Sequence, residues 1–221
     1  MAQNVYSLNV VGYINLTLNP GFNLVANQLV GADTKLNTVF GTGFAQDGYQ
    51  VLTWNASTQG FNQPDSFFTA DTAGVAGWYD FNSQPSTTLV GPGTAVFFKN
   101  IGNTPLTVTL VGQVTQGTNS VPIAAGYNFL SIVPPVSVDL ATNGPLKLPN
   151  PTTDGTSTYV TYSSATGYSS PYTFFQAATA GVDGWYDDNG QPAPLIPAVG
   201  QGFLILNHGI PLTWVNAFSV Q

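Results

Sequence analysis

Three stretches of the chain alternate between apolar and polar or small positions, the two-residue period of a strand with one buried face. In the first, Tyr6, Leu8, Val10, Gly12, Ile14, Leu16 and Leu18 alternate with Ser7, Asn9, Val11, Tyr13, Asn15 and Thr17. In the second, Leu106, Val108, Leu110, Gly112 and Val114 alternate with Thr107, Thr109, Val111 and Gln113. In the third, Leu212, Trp214, Phe218 and Val220 alternate with Thr213, Val215, Ala217 and Ser219, and Asn216 interrupts the apolar face. Shorter β-branched and aromatic runs at 51–54, 95–98, 158–162 and 202–206 are bounded by turn formers such as Asp47-Gly48, Gly91-Pro92-Gly93, Asp154-Gly155 and Asn189-Gly190. Residues 34–40 and 136–141 each fit one short helical turn, and nothing longer is expected. The pattern predicts an all-β chain.

The chain also repeats itself. Phe67-Phe68-Thr-Ala-Asp-Thr-Ala-Gly-Val-Ala-Gly-Trp78-Tyr79-Asp80 returns as Phe174-Phe175-Gln-Ala-Ala-Thr-Ala-Gly-Val-Asp-Gly-Trp185-Tyr186-Asp187, identical at eleven of fourteen positions. Flanking segments match at nearly constant offset: 20–24 with 125–129, Thr53-Trp54 with Thr161-Tyr162, Gly60-Phe61 with Gly167-Tyr168, and 96–98 with 203–205. Two tandem, similar domains of β-sandwich or barrel-like form follow, copy one over 1–114 and copy two over 115–221. The strand at 106–114 is expected to close copy one and open copy two as a shared junction strand. Each core is expected to need little from the other. Residues 5–18 form an extended N-terminal strand of about 46 Å, where a typical strand runs roughly 17–20 Å. Gly12 is a natural place for a bulge within it.

Composition narrows the function. Only 6% of the 221 residues are charged, every one of the ten acids is Asp, and the net charge is -7. With a pI near 4.1, the field opposes phosphate neutralisation, so nucleic-acid binding is not expected. No apolar run approaches the roughly 20 residues of a membrane span. The absence of Cys removes thiolate metal sites, disulfides and cysteine nucleophiles, and His208 alone would have to carry a Ser-His-Asp triad. Asn, Gln, Ser, Thr and Gly take the place of charge, as on many secreted and assembled β-proteins. Export is therefore expected, with a leader removed ahead of Ala2.

Few residues invite chemistry. Trp78 with Asp80, and Trp185 with Asp187, could offer a sugar a stacking face and an acceptor, giving two equivalent glycan sites; the competing reading puts each Trp in the core and each Asp in a turn. Asp183, Asp187 and Asp188 are the candidates for Ca²⁺, without the spacing of a known calcium loop. Within the repeated segment Asp80 and Asp187 are the only acids shared by both copies, so a carboxylate pair for glycoside hydrolysis has little to stand on. Asn15-Leu-Thr17 and Asn55-Ala-Ser57 are short glycosylation-type matches. No cofactor is expected.

The phrases Asn9-Val-Val-Gly-Tyr13-Ile-Asn15, Pro20-Gly-Phe-Asn-Leu24-Val-Ala-Asn-Gln28 and Val111-Gly-Gln-Val-Thr-Gln-Gly117 resemble a group of secreted, β-rich, tandem-repeat bacterial proteins without an assigned activity. Members of that group often carry Gly-Glu-Gly-Phe-Phe where this chain has Gly93-Thr94-Ala95 and Gly200-Gln201-Gly202. The resemblance implies export and a β-fold, and it implies no substrate or catalytic residue.

The expected role is that of a structural, self-associating protein of the cell surface or extracellular space, whose partner is a second copy of itself. Terminal strands would join molecules head to tail into a fibre or surface layer, through Tyr6, Leu8, Val10, Gly12 and Ile14 of one copy and Leu212, Trp214, Phe218 and Val220 of the next. A carbohydrate-binding module for surface glycans is the alternative. A glycoside hydrolase-like enzyme ranks third, so the protein is not expected to be an enzyme.

Overall fold

The computed structural model describes residues 10–142 and 144–220. Copy one contains β1 (Val11–Leu18), β2 (Gly21–Ala26), β3 (Leu29–Val30), α1 (Leu36–Val39), β4 (Gln50–Asn55), β5 (Gly60–Phe61), β6 (Asp65–Phe68), α2 (Ala70–Ala73), β7 (Gly77–Tyr79), β8 (Ala95–Asn100) and β9 (Leu106–Val114). Copy two contains β10 (Gly117–Ile123), β11 (Gly126–Leu130), β12 (Thr158–Ser163), β13 (Gly167–Tyr168), β14 (Tyr172–Phe175), α3 (Ala177–Ala180), β15 (Gly184–Tyr186), β16 (Phe203–Asn207) and β17 (Leu212–Phe218). Each helix is a single turn. Residues 34–40 contain α1, whereas 136–139 are irregular and 140–141 a turn rather than a helix.

Each copy is a sandwich of a small sheet on a large one, with no closed barrel. In copy one the small sheet runs β1-β9-β3 and the large sheet β2-β8-β4-β6-β7, with β5 on β4. In copy two the small sheet is β10-β17 and the large sheet β11-β16-β12-β14-β15, with β13 on β12. Alternation turns Ile14, Leu16, Leu18, Val108 and Leu110 of the small sheet toward Val25, Val51, Phe67, Trp78, Val96 and Phe98 of the large one. Copy two repeats this with Val121, Ile123 and Trp214 against Leu130, Tyr159, Phe174, Trp185, Phe203 and Ile205.

The junction strand is not shared. β9 pairs with β1 and β3, all of copy one, and copy two opens with its own strand, β10, which pairs with β17. Thr115 and Gln116 interrupt the ladder, and Gly117 at φ 79° starts a new strand. Gly12 is no bulge either. It pairs directly with Gly112 in an unbroken register from Val11↔Gln113 to Leu18↔Leu106. A Cβ at Gly112 would lie 2.7 Å from the carbonyl of Val30, so glycine lets β3 cross closely.

The two copies pack against each other. Leu24, Ala95, Phe97, Phe129 and Leu204 form a third buried cluster, flanked by Leu52, Trp54, Val160 and Tyr162. These residues lie on the outer faces of the two large sheets, which pack together and make four layers. The contacts are reciprocal. Val25 bridges Gln201 while Leu130 bridges Thr94, and Ala26 N–H donates to the Gly200 carbonyl at 2.9 Å while Ser131 N–H donates to Gly93 at 3.1 Å. Since 25 and 26 correspond to 130 and 131, and 93 and 94 to 200 and 201, the copies are related by an internal pseudo-two-fold axis. A Cβ at Gly93 would lie 2.8 Å from Val121, and one at Gly200 2.4 Å from Leu16. Both turns press against the opening strand of the other copy. A two-fold relation closes on itself, so repeating this geometry between molecules does not build a head-to-tail fibre.

Asn216 is fully buried where copy one has Leu110, and its Nδ2 has no hydrogen-bond partner. Its Oδ1 accepts from Val133 N–H at 3.5 Å, a weak contact. An orphaned buried amide costs about 1–3 kcal/mol. Asn216→Leu is expected to raise stability by about 1 kcal/mol, read as a rise in thermal midpoint of roughly 2–4 °C.

Candidate functional site

The repeated Gly-Trp-Tyr-Asp segment belongs to the core. Trp78 is fully buried and Trp185 nearly so, each on the inner face of its large sheet, so neither offers a ring to a sugar. Trp78 packs edge-on against Phe44, Phe67 and Phe98 and donates its indole N–H to the Gly41 carbonyl at 3.1 Å. Asp80 closes a turn, accepting from the amides of Asn82 and Gln84. Asp187 does the same for Asn189 and Gln191. Abundant Asn also serves the fold: Asn23, Asn100, Asn128 and Asn207 are buried and donate to backbone carbonyls at strand ends.

The calcium candidates are likewise engaged locally. Asp183 accepts from Ala177 N–H at 2.6 Å and Asn150 Nδ2 at 3.1 Å, Asp187 holds its turn, and Asp188 is exposed beside it. Among the described residues no three His, Cys, Asp or Glu side chains stand close enough to hold a metal ion. His208 lies in the loop after β16, its backbone N–H donating to Ser157 Oγ.

Carboxylates of this kind make the fold sensitive to acid. The Thr72 hydroxyl and then the Thr69 amide hold Asp47 below the usual carboxylate range, and Thr179 and the Gln176 amide do the same for Asp154. Partial burial raises Asp139, but bonds from Thr142, Leu195 and Ala141 outweigh it and the net direction is down. A carboxyl whose folded pKa lies below its unfolded value, about 3.9, contributes stability that is present above the unfolded value. It is lost as pH falls through the folded one. The thermal midpoint is expected to fall below about pH 4, and Asp47→Asn with Asp154→Asn to lessen that fall relative to neutral pH.

The terminal strands contribute edges rather than apolar side chains. Ile14 and Trp214 are buried in their own copies, and Leu212 packs against its own core, because β1 and β17 each pair within the chain. Gly12 lies under Leu29 and Val114, Val10 and Phe218 are half-buried, and Val220 is exposed. Tyr6 and Leu8 lie outside the described residues. Val114 N–H donates to Val10, so even-numbered positions of β1 and β9 bond each other and odd-numbered ones turn their backbone groups to the other side. Val11, Tyr13, Asn15 and Thr17 face one open edge. Thr107 and Thr109 face the other, where β3 covers only Gln113 and Val114.

Copy two blunts one outward position on each of its two edges. Pro122 stands at an outward position of β10, where it presents no N–H, and Ala217 N–H of β17 is taken by the Pro145 carbonyl at 3.0 Å. Trp214, fully buried with its indole N–H on the Leu146 carbonyl at 3.1 Å, fills the space beside that strand. Copy one has the smaller Val108 there, and a groove of about 260 Å³ lies between the edge of β9 and residues 38–44.

A second concavity opens where the copies meet. Trp54 and Phe61 of the β4–β5 hairpin reach across to Tyr127 and Phe129, with Trp54 5.0 Å from Phe129 centroid to centroid. Trp54 Nε1–H donates to the Tyr127 carbonyl at 2.8 Å, and Gln59 accepts from Tyr127 N–H at 2.6 Å. Val160, Leu204, Tyr168 and the polar Thr158 and Ser169 complete a cleft of about 500 Å³ with no charged residue in its lining. Phe61, Tyr127 and Tyr168 are exposed. On the related side Tyr162 closes on Phe97 at 4.9 Å, so the cleft breaks the internal symmetry. The repeat pairs Trp54 with Tyr162 and Phe61 with Tyr168, and aromatic residues at matching hairpins are the only sequence signal of this cleft. Comparison with known protein families, curated proteins and solved structures finds no match for this chain.

Proposed function

We propose that this protein is a structural, self-associating subunit of an extracellular or cell-surface assembly, joined to its neighbours by β-strand addition. The observation that carries this reading is the unguarded small sheet of copy one. Natural proteins blunt edge strands with lysine, proline or charge, yet β1 and β9 contain none of these. Among the described residues, their open edges carry backbone groups without a ladder partner beside exposed Val11, Tyr13 and Val111. The low proportion of charged residues favours close packing of many copies. The pseudo-two-fold requires the contact between molecules to differ from the one between copies. Sedimentation and negative-stain microscopy across a concentration series test the reading. Ordered oligomers or filaments are expected, and a protein that stays monomeric throughout would refute it.

The aromatic cleft favours a second reading, the binding of a neutral glycan. Exposed aromatic rings with hydroxyls at the rim suit the apolar face of a pyranose. The binding stoichiometry would then be one per chain, and calorimetry with Tyr168→Ala against the unaltered protein would show the loss.

A further inference from the structure

We propose that residues 2–9 of one molecule add as a strand to the open edge of β9 in another, inserting Tyr6 or Leu8 into the groove beside Val108. This rests on the assembly reading and names its contact. Four observations converge on it.

The first is the edge. Of the outer positions on the small sheets, those on β10 are blunted by Pro122, and β17 is capped at Ala217 by Pro145. β1 and the Thr107–Thr109 stretch of β9 remain open, as does the Thr213–Val215 stretch of β17, so the edge alone does not choose and the space beside it must. The second is the wall beside each. The groove at β1 is mainly polar, with Asn15, Thr17, Asn19 and Ser163, whereas the groove at β9 is mixed and sets Val39, Phe40, Phe44 and Val108 among threonines. A donor with an apolar face matches the second. The third is the space. A cavity of about 150 Å³ admits benzene, so about 260 Å³ accommodates a phenol ring. Copy two fills the corresponding place from within, with Trp214.

The fourth is the donor. Residues 2–9 carry no charge, and Tyr6 and Leu8 alternate with Ser7 and Asn9, so one face of an added strand would be apolar. The donor must come from another molecule. Val10 sits opposite Val114, and Thr109 lies five residues back along β9, about 17 Å away, with about 10 Å of sheet to cross as well. Eight residues span at most about 28 Å, so in cis the segment is used up before it can lie along the groove. In trans nothing limits it. The join is heterologous, and it extends into a fibre unless its rotation closes a ring.

The test uses the full chain, a chain lacking residues 2–9, and a labelled synthetic peptide of residues 2–9. The shortened chain is expected to keep its melting midpoint, remain monomeric and bind the peptide one to one. Peptides with Tyr6→Asp or Leu8→Asp should bind at least about tenfold more weakly, since each removes one buried side chain. On the acceptor, Val108→Trp copies the filling found in copy two, and Thr109→Pro removes an outward N–H without breaking the β1 ladder. Both should lose binding, while Thr17→Pro, which blunts β1 as Pro122 blunts β10, should retain it. Loss with Thr17→Pro alone would move the acceptor to β1 and overturn the proposal. A full chain that assembles while the peptide fails to bind would overturn the proposal and leave the assembly reading standing. A full chain that never assembles, with a peptide that still binds, would refute the assembly reading and leave β9 as a peptide site.

Discussion

A Phe97→Ala chain is expected to lose about 3–5 kcal/mol of unfolding free energy, the usual cost of emptying a buried phenylalanine site. Phe97 is 5% exposed although it lies on the outer face of the large sheet of copy one. Its ring meets Phe22 and Phe61 of its own copy and Phe129 and Tyr162 of the other, at 4.9–5.9 Å. Removing it opens a void between the copies rather than inside either one. For a chain of this size the loss corresponds to a fall in midpoint on the order of 10 °C, measurable by calorimetry. The seam has no slack to absorb it. A Cβ at Gly202 would already stand 2.3 Å from that of Ala95. A loss below about 1 kcal/mol would mean that the two sandwiches stand independently.

Trp78→Ala should be as costly, about 3–5 kcal/mol, and should act within copy one. The indole is fully buried and ties the turn at Gly41 to the core through its N–H. Phe40 and Phe44, which wall the groove beside β9, both pack on it. The variant is therefore expected to loosen residues 40–44 along with the core, seen as faster amide exchange there and weaker assembly. If Trp78 instead served a bound sugar, its loss would leave the melting curve in place and remove only binding. Circular dichroism melts separate the two outcomes.

Asn216 and Pro122 mark the line between what was legible and what was not. Asn216 is visible in the sequence as a break in an apolar face, and the structure finds it buried with its amide unpartnered. The strand holding Pro122 is not legible in the sequence, because a proline inside a short run argues against a strand. It is tolerated there because its missing N–H faces the open side of an edge. The Trp in Gly-Trp-Tyr-Asp had two readings with the same local sequence, and only burial separates a core anchor from a binding ring.

By itself the sequence determined the all-β class, the duplication, and seven of the ten strands of five or more residues among the described residues, all but β2, β10 and β11, because alternation and turn residues are local consequences of backbone geometry. It also contained a trace of the seam. Residues 95–98 and 203–206 are apolar at consecutive positions, the pattern of strands covered on both faces. Only the tertiary structure decided what covers them, that β9 stays with copy one, and which edges remain open. Those outcomes depend on contacts between residues about a hundred positions apart. Side-chain volume and reciprocal fit settle such contacts, and the order of apolar and polar residues along the chain does not encode them.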